Sequence, residues 1–306
     1  MKKLFFTLFL CFLVINSYAI KISTPYVSVW WLEKNLDKVI LLDVRRSKQD
    51  FYKGHIPNAV FVDKSKVRVD KIIMGKSVKG FLPEKEYFQN FLRSLGINND
   101  SAVVIYTKQR KHINAKYAAR LYWQFKVYGF ENVALLDGGY YKWVNDIKKI
   151  EKGAGKAVTK GNVVLKDVNH EILADISEVK KAINDKNSII IDFREMAYYL
   201  GIKTKSYIAY SGHIPTAFSV SEDLFFNDDG TFISKNDMEK TLFALNIDIH
   251  KPIIVYCNTG NHSALGWFIL HEILKADSVK NFDGSLIEWT TYELPTKKYV
   301  IENFSN

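Results

Sequence analysis

The chain repeats itself, and that repeat decides what it can fold into. Ile40-Leu41-Leu42-Asp43-Val44-Arg45 returns as Ile189-Ile190-Ile191-Asp192-Phe193-Arg194, and Gly54-His55-Ile56-Pro57 returns unchanged as Gly212-His213-Ile214-Pro215. Val103-Val104-Ile105-Tyr106 corresponds to Ile253-Ile254-Val255-Tyr256, and Asp137-Gly138-Gly139 with Trp143 corresponds to Asp283-Gly284-Ser285 with Trp289. Four marks in one order, carried twice by 306 residues, spell two copies of a unit of ordinary domain size. Each copy alternates short apolar runs, bounded by Asp, Gly or Pro, with longer stretches of helical period. The expected fold class is therefore α/β: two tandem domains, each a central parallel sheet flanked by helices. In the second copy, strands are expected near 189–192, 217–220, 253–256 and 279–282, and helices near 177–183, 235–245, 264–274 and 285–292.

The boundaries follow from composition. Lys2-Lys3, the apolar run from Leu4 to Ile15 and the small residues Ser17 and Ala19 read as a cleavable secretory signal over residues 1–19. Lys152 to Gly161, rich in Gly and Lys, reads as an exposed linker. The expected division is 20–150 for the first domain, 151–171 for the linker and 172–306 for the second domain. Export, which argues against nucleic acid, is the expectation: an exported, periplasmic monomer with no membrane span after cleavage and no nucleic-acid partner. Losing Lys2 and Lys3 lowers the formal charge of +10 by two and leaves the surface basic, which suits small anions.

Of the two cysteines, Cys11 lies in the signal, so Cys257 stands alone in the mature chain. It has no intramolecular partner for a disulfide. It follows the buried-strand run 253–256 directly, and Asn258, Thr259, Gly260, Asn261, His262 and Ser263 come between it and a helical pattern. The thiol is thus expected at the C-terminal edge of a parallel sheet, where such sheets place their ligand sites. Loop N–H groups are expected to converge on it, and the helix N-terminus to favour its thiolate. Gly260 supplies a positive φ for a tight loop. An inert core cysteine does not call for six polar or small residues after it.

With these marks in view, the chain resembles a tandem-domain rhodanese, of the exported bacterial type. The resemblance rests on Asp192-Phe193-Arg194, Gly212-His213-Ile214-Pro215, the Cys-x-x-Gly-x-x-Ser run from Cys257 to Ser263, and Asp283-Gly284-Ser285 with Trp289. It implies a sulfurtransferase that takes sulfane sulfur from thiosulfate or a related small anionic donor, carries it as a persulfide on Cys257, and gives it to cyanide, a thiol or a protein acceptor. It implies no external cofactor, and the seven histidines show no metal-ligand spacing. A non-enzymatic sulfane-sulfur or polysulfide carrier is the alternative. Asp192, Arg194 and Tyr198 are expected to support the loop and pocket.

In the first copy Thr107 stands where the second has Cys257, and a hydroxyl cannot form a persulfide. That domain is expected to be silent, with Lys108 to His112 a basic loop that can attract anions. A phosphatase of related fold needs an arginine six residues after its cysteine to clamp phosphate. That position is Ser263, which excludes the phosphate clamp. His262 can tune the thiolate or meet the donor, or simply face solvent, while Ser263 can cap the helix. Lys203 and Lys205 can supply positive charge, since Tyr198 stands where some tandem relatives carry a substrate-gripping arginine. His55 and His213 read as structural, because one of them lies in the copy without a nucleophile.

Overall fold

The computed structural model describes residues 20–108, 114–185 and 187–299. The expected signal segment and the basic loop beyond Lys108 lie outside the described residues.

The strands are β1 (Tyr26–Val27), β2 (Ile40–Arg45), β3 (Ala59–Asp63), β4 (Val69–Ile73), β5 (Lys76–Phe81), β6 (Val103–Tyr106), β7 (Val133–Leu136), β8 (Leu173–Ala174), β9 (Ile189–Asp192), β10 (Phe218–Ser219), β11 (Ile253–Tyr256) and β12 (Val279–Phe282). Two parallel five-stranded sheets form, in the orders β1-β7-β6-β2-β3 and β8-β12-β11-β9-β10. The sequence repeat is therefore a repeat of topology. β6 and β11 are the central strands, buried at every residue, which is why they read as continuous apolar runs. The residue after each, Thr107 or Cys257, emerges at the sheet's C-terminal edge.

The same polar frame closes each unit. Arg45 forks onto Asp43 at 2.7 and 2.5 Å, and Arg194 onto Asp192 in the same way. Tyr106 and Tyr256 accept the N–H groups of Ile56 and Ile214 at 3.1 and 3.0 Å. His55 stacks on Phe51 with Nδ1 3.0 Å from the Phe51 carbonyl, and His213 does the same with Tyr199 at 2.8 Å. Both histidines hold chain turns together, and neither reaches the edge where the cysteine lies.

Three features differ from the sequence expectation. The helix after the cysteine loop begins at Asn261 rather than 264, because Gly260 at φ 76° turns the chain straight into it. From Phe268 to Ile273 it widens to a π-helix. The expected linker is largely exposed from 152 to 162, as read, but its backbone is bonded to the first domain as a strap. Val163 and Leu165 are buried, and the Gly161, Val163 and Lys166 N–H groups donate to Arg93, Ile97 and Tyr128 carbonyls. Gly161 fits there because a Cβ would strike the Ile97 backbone. Finally, β4 and β5 form an antiparallel hairpin where the second unit has a single antiparallel bridge, between Phe226 and Phe232. Its Ile73, Val78 and Phe81 pack with Ile190, Tyr256 and Phe282 of the second domain.

The helices Ala115–Val127 and Asn261–Trp267, one following each central strand, pack against each other across the domain boundary. Tyr122 meets Phe268 edge-on at 4.9 Å, and the Trp123 indole donates to the Ile172 carbonyl at 3.2 Å. One hydrophobic cluster runs through both domains. Because the two units share a core, we expect a single cooperative urea transition. Tyr122→Ala should lower stability by about 3–5 kcal/mol, the usual cost of truncating a buried aromatic. A loss below about 1 kcal/mol, or two separate transitions, would contradict a shared core.

Candidate active site

Cys257 is fully buried at the end of β11. The loop around it is pinned from below by Ser285, whose Oγ accepts the N–H groups of Cys257 and Gly260, both at 3.1 Å, and donates to the Phe282 carbonyl at 2.9 Å. Ser285 itself has φ 51°, a left-handed conformation costly for any residue with a Cβ. Its counterpart Gly139 has φ 53° and adopts that shape freely. The second domain accepts the strain and gains a hydroxyl under the loop. The expectation that loop N–H groups are left free to converge on the sulfur holds for only some of them. Those of Cys257 and Gly260 are spent on Ser285, and those of Thr259 and Ser263 are the ones directed at Sγ.

Burial alone would push the Cys257 thiol up. The charge of His262, the N–H and hydroxyl of Ser263 and the Thr259 N–H outweigh it, and the thiol titrates below its ordinary value. Ser263 lies in the first turn of the helix, whose N-cap is Gly260, and its Oγ lies 3.6 Å from Sγ.

The loop is also held from the first domain. Arg120, buried in the helix Ala115–Val127, donates to the Gly260 carbonyl at 3.1 Å and pairs with Asp283, whose second oxygen accepts the Leu82 N–H at 2.6 Å. Arg68 donates to the Thr259 carbonyl at 2.7 Å, and the Asn261 amide, turned to match its donors, accepts from Arg68 at 3.2 Å. Gly260 has no room for a side chain: a Cβ would lie 2.5 Å from the Arg120 guanidinium and 2.7 Å from the Asp283 carbonyl. On the other side Arg194, anchored to Asp192, donates to Asn258 Oδ1 at 3.2 Å and to the Gly212 carbonyl at 2.7 Å.

A cleft of about 280 Å³ lies over the loop, lined by Asn258, Thr259, Asn261 and His262 below and by Tyr198, Lys205, Tyr207 and Lys116 at its sides. Lys205 sits 5.0 Å from the Tyr198 ring centre, so the wall carries a positive charge beside the tyrosine. Lys203 does not line the cleft and faces Glu195 at 3.7 Å on the surface. His262 Nδ1 meets Glu222 Oε2 at 2.8 Å, and the same buried carboxylate lies 3.5 Å from Lys116 of the first domain. His262 is thus fixed by a carboxylate rather than simply facing solvent.

Arg68, Arg120, Glu222 and Lys116 were invisible as site residues in the sequence. Arg120 alone left a trace, as a charge inside the apolar helical run Tyr117 to Phe125. The site's other expected members, from Asn258 to Ser263 with Asp192, Arg194 and Tyr198, are gathered around Cys257. Among the described residues no group of three or more His, Cys, Asp or Glu side chains is placed to hold a metal.

The rhodanese-like domain family matches residues 28–146 and 175–292. A Saccharopolyspora erythraea protein that carries the provisional name thiosulfate sulfurtransferase is 33% identical over 275 residues, covering 87% of this chain and 92% of that one. A sulfur carrier protein, TtuD of Thermus thermophilus, is 30% identical over 277 residues, covering 86% and 92%. The crystal structure of SseA from Escherichia coli, of the 3-mercaptopyruvate sulfotransferases, superposes with TM-score 0.72 at 26% identity, over 86% of this chain and 99% of that one.

Two outcomes are expected. In His262→Asn the pH midpoint for alkylation of Cys257 moves up, since the charge that offsets burial is gone; an unmoved midpoint would show that the loop N–H groups suffice alone. Glu288, partly buried and packed over Gly284, is pushed up to about 7 by desolvation and by Asp283. Its folded value exceeds its unfolded one, so the fold holds this proton more tightly and loses stability as pH rises from about 4.5 to 7. Glu288→Gln should remove up to about 3 kcal/mol of that decline in urea titrations across this window. An identical decline in the variant would remove Glu288 from the account.

Proposed function

Since this chain belongs to the rhodanese-like family, we propose that it is a sulfurtransferase whose Cys257 takes a sulfane sulfur from thiosulfate or a related anionic donor and passes it to a thiophilic acceptor. Rhodanese sulfurtransferases work through a cysteine persulfide and need no external cofactor. The observation that carries the reading is the buried Cys257 sulfur facing the Thr259 and Ser263 N–H groups and lowered in pKa. A lowered thiol holds more of the nucleophilic thiolate, and the same donors suit the anion that it becomes.

In the first half-reaction the Cys257 thiolate attacks the outer sulfur of thiosulfate. A new Sγ–S bond forms, the donor's S–S bond breaks, and sulfite leaves with its electron pair. The persulfide, R–S–S⁻, keeps one negative charge within reach of the loop N–H groups. Lys205 and Lys116 on the cleft walls favour the entry of an anionic donor. In the second half-reaction an acceptor nucleophile takes the outer sulfur and Cys257 returns as thiolate. Two such steps give ping-pong kinetics.

Thr107, buried at the equivalent point of the first domain, cannot carry sulfur, so that domain serves the other. A second reading, a carrier that yields its sulfur to a protein rather than turning over small molecules, has its support in the relative named as a sulfur carrier. The Lys2-Lys3 and apolar N-terminal segment supports export to a periplasm, where a lone thiol has no disulfide partner in its own chain. No helix among the described residues is long and apolar enough to cross a membrane.

The test is the intact mass of the protein after thiosulfate and desalting, then after cyanide, with Cys257→Ala alongside. The expected result is a gain of one sulfur mass in the wild type alone, erased by cyanide as thiocyanate appears. Loading that discharges only to a protein would favour the carrier, and no loading from any sulfane donor would refute both readings.

A further inference from the structure

The cleft over Cys257 is not closed on the first-domain side. A second chamber of about 400 Å³ adjoins it, and Tyr117, Tyr207, Thr259 and Asn261 line both. The walls of this antechamber come mostly from the domain that lacks the nucleophile. They bring Arg46, Lys64, Arg68 and Lys79 together, with Asp70 the one carboxylate among its lining residues. Arg68 is committed to Thr259 and to the loop, as described above. Lys64 lies 3.6 Å from the centre of the Tyr117 ring and Lys79 lies 4.3 Å from that of Tyr207. Each tyrosine shared by the two chambers thus carries an ammonium group, and among the described residues neither Lys64, Lys79 nor Arg46 is paired with a carboxylate. Three cations, none paired with a carboxylate among the described residues, are grouped at the mouth of the reaction cleft and form a site for anionic groups. The antechamber also offers far more room than an inorganic donor fills, and its size is that of a cavity for an organic ligand, about 300–1,000 Å³.

Resting on the sulfurtransferase reading, we propose that this antechamber holds the carboxylates of the acceptor, and that the acceptor is a small thiol bearing two carboxylates rather than a neutral thiol. The carboxylates lie against Arg46, Lys64 and Lys79, and the thiol passes between Tyr117 and Tyr207 to the persulfide. There the acceptor sulfur bonds to the outer sulfur, and the bond from that sulfur to Cys257 Sγ breaks with its electron pair left on Sγ. The acceptor's thiol proton moves to the transferred sulfur. The products are R–S–SH and the Cys257 thiolate, with no net oxidation. The silent domain would then choose the acceptor, while the active domain carries the sulfur.

Two measurements on the full chain test this. The first is calorimetric titration with succinate, a dicarboxylate without a thiol, which reads the subsite whether or not sulfur is transferred. Succinate should bind, and Lys64→Met with Lys79→Met should weaken it about tenfold, as loss of two charge-assisted contacts requires. The second is the discharge rate of persulfide-loaded protein with mercaptosuccinate and with 2-mercaptoethanol, each scaled to its thiolate fraction. Mercaptosuccinate should be faster by about tenfold or more at low salt, and that ratio should collapse in the double variant and at high ionic strength. No binding of succinate, or equal binding in the variant, would overturn the subsite. Binding without a rate preference would overturn its role toward the acceptor. Failure of Cys257 to load from any donor would instead sink the sulfurtransferase reading, and with it the acceptor role, while the titration still reports on the anion site.

Discussion

The buried ion pair between Arg120 and Asp283 is the joint on which the rest depends. Arg120 belongs to the first domain and Asp283 to the second, and the same guanidinium also holds the carbonyl of Gly260, in the middle of the cysteine loop. Asp283 in turn takes the Leu82 N–H just after the hairpin that covers the second sheet. Removing one partner of such a pair strands a charge in the interior, at about 3–5 kcal/mol. Domain position and loop shape are therefore coupled: the geometry that presents Cys257 exists only when the two domains are docked. Gly260 follows from the same contact, since any side chain there would occupy the place of the guanidinium.

The two copies show how a duplicated unit divides its labour. Each keeps the Asp–Arg fork, the tyrosine that braces the Gly-His-Ile-Pro turn and the stacked histidine. Each also lends the aspartate of its Asp-Gly motif to the other domain: Asp283 accepts from Leu82, and Asp137 accepts from Phe232 at 2.9 Å. The differences fall at the sheet edge. Cys257 stands where the first copy has Thr107, and the strained Ser285 where it has an unstrained Gly139. One unit has kept a sulfur and the hydroxyl that shapes its loop; the other has become a wall that supplies Arg68, Arg120 and Lys116.

The repeat made the two parallel sheets legible, because central strands buried on both faces must be apolar throughout, and 103–106 and 253–256 are. The Cys257 loop was legible for the opposite reason, as a run of polar and small residues directly after such a strand. The hairpin at 69–81 was not, since the second unit has a single bridge in its place and its apolar residues face a different domain. Arg120 and Gly260 are 140 residues apart, and no local pattern signals a partner at that distance. That the N–H groups of Cys257 and Gly260 are spent on Ser285 was not legible, because loop composition alone does not reveal the hydroxyl beneath them. The Gly and Lys content of the strap signals its exposure but not that its backbone is bonded to the first domain through Arg93, Ile97 and Tyr128.

The central claim, that the silent domain shapes the sulfur site, is tested most directly by the rate of sulfur loading from thiosulfate in Arg120→Lys. Lysine keeps the charge beside Asp283 but cannot also hold the Gly260 carbonyl. The account predicts a fold that still melts cooperatively and a loading rate lower by about tenfold or more, as expected when a pre-organised site loses one of its supports. Loading at the wild-type rate by a folded variant would mean that the cysteine loop holds its shape without the first domain, and would contradict the account.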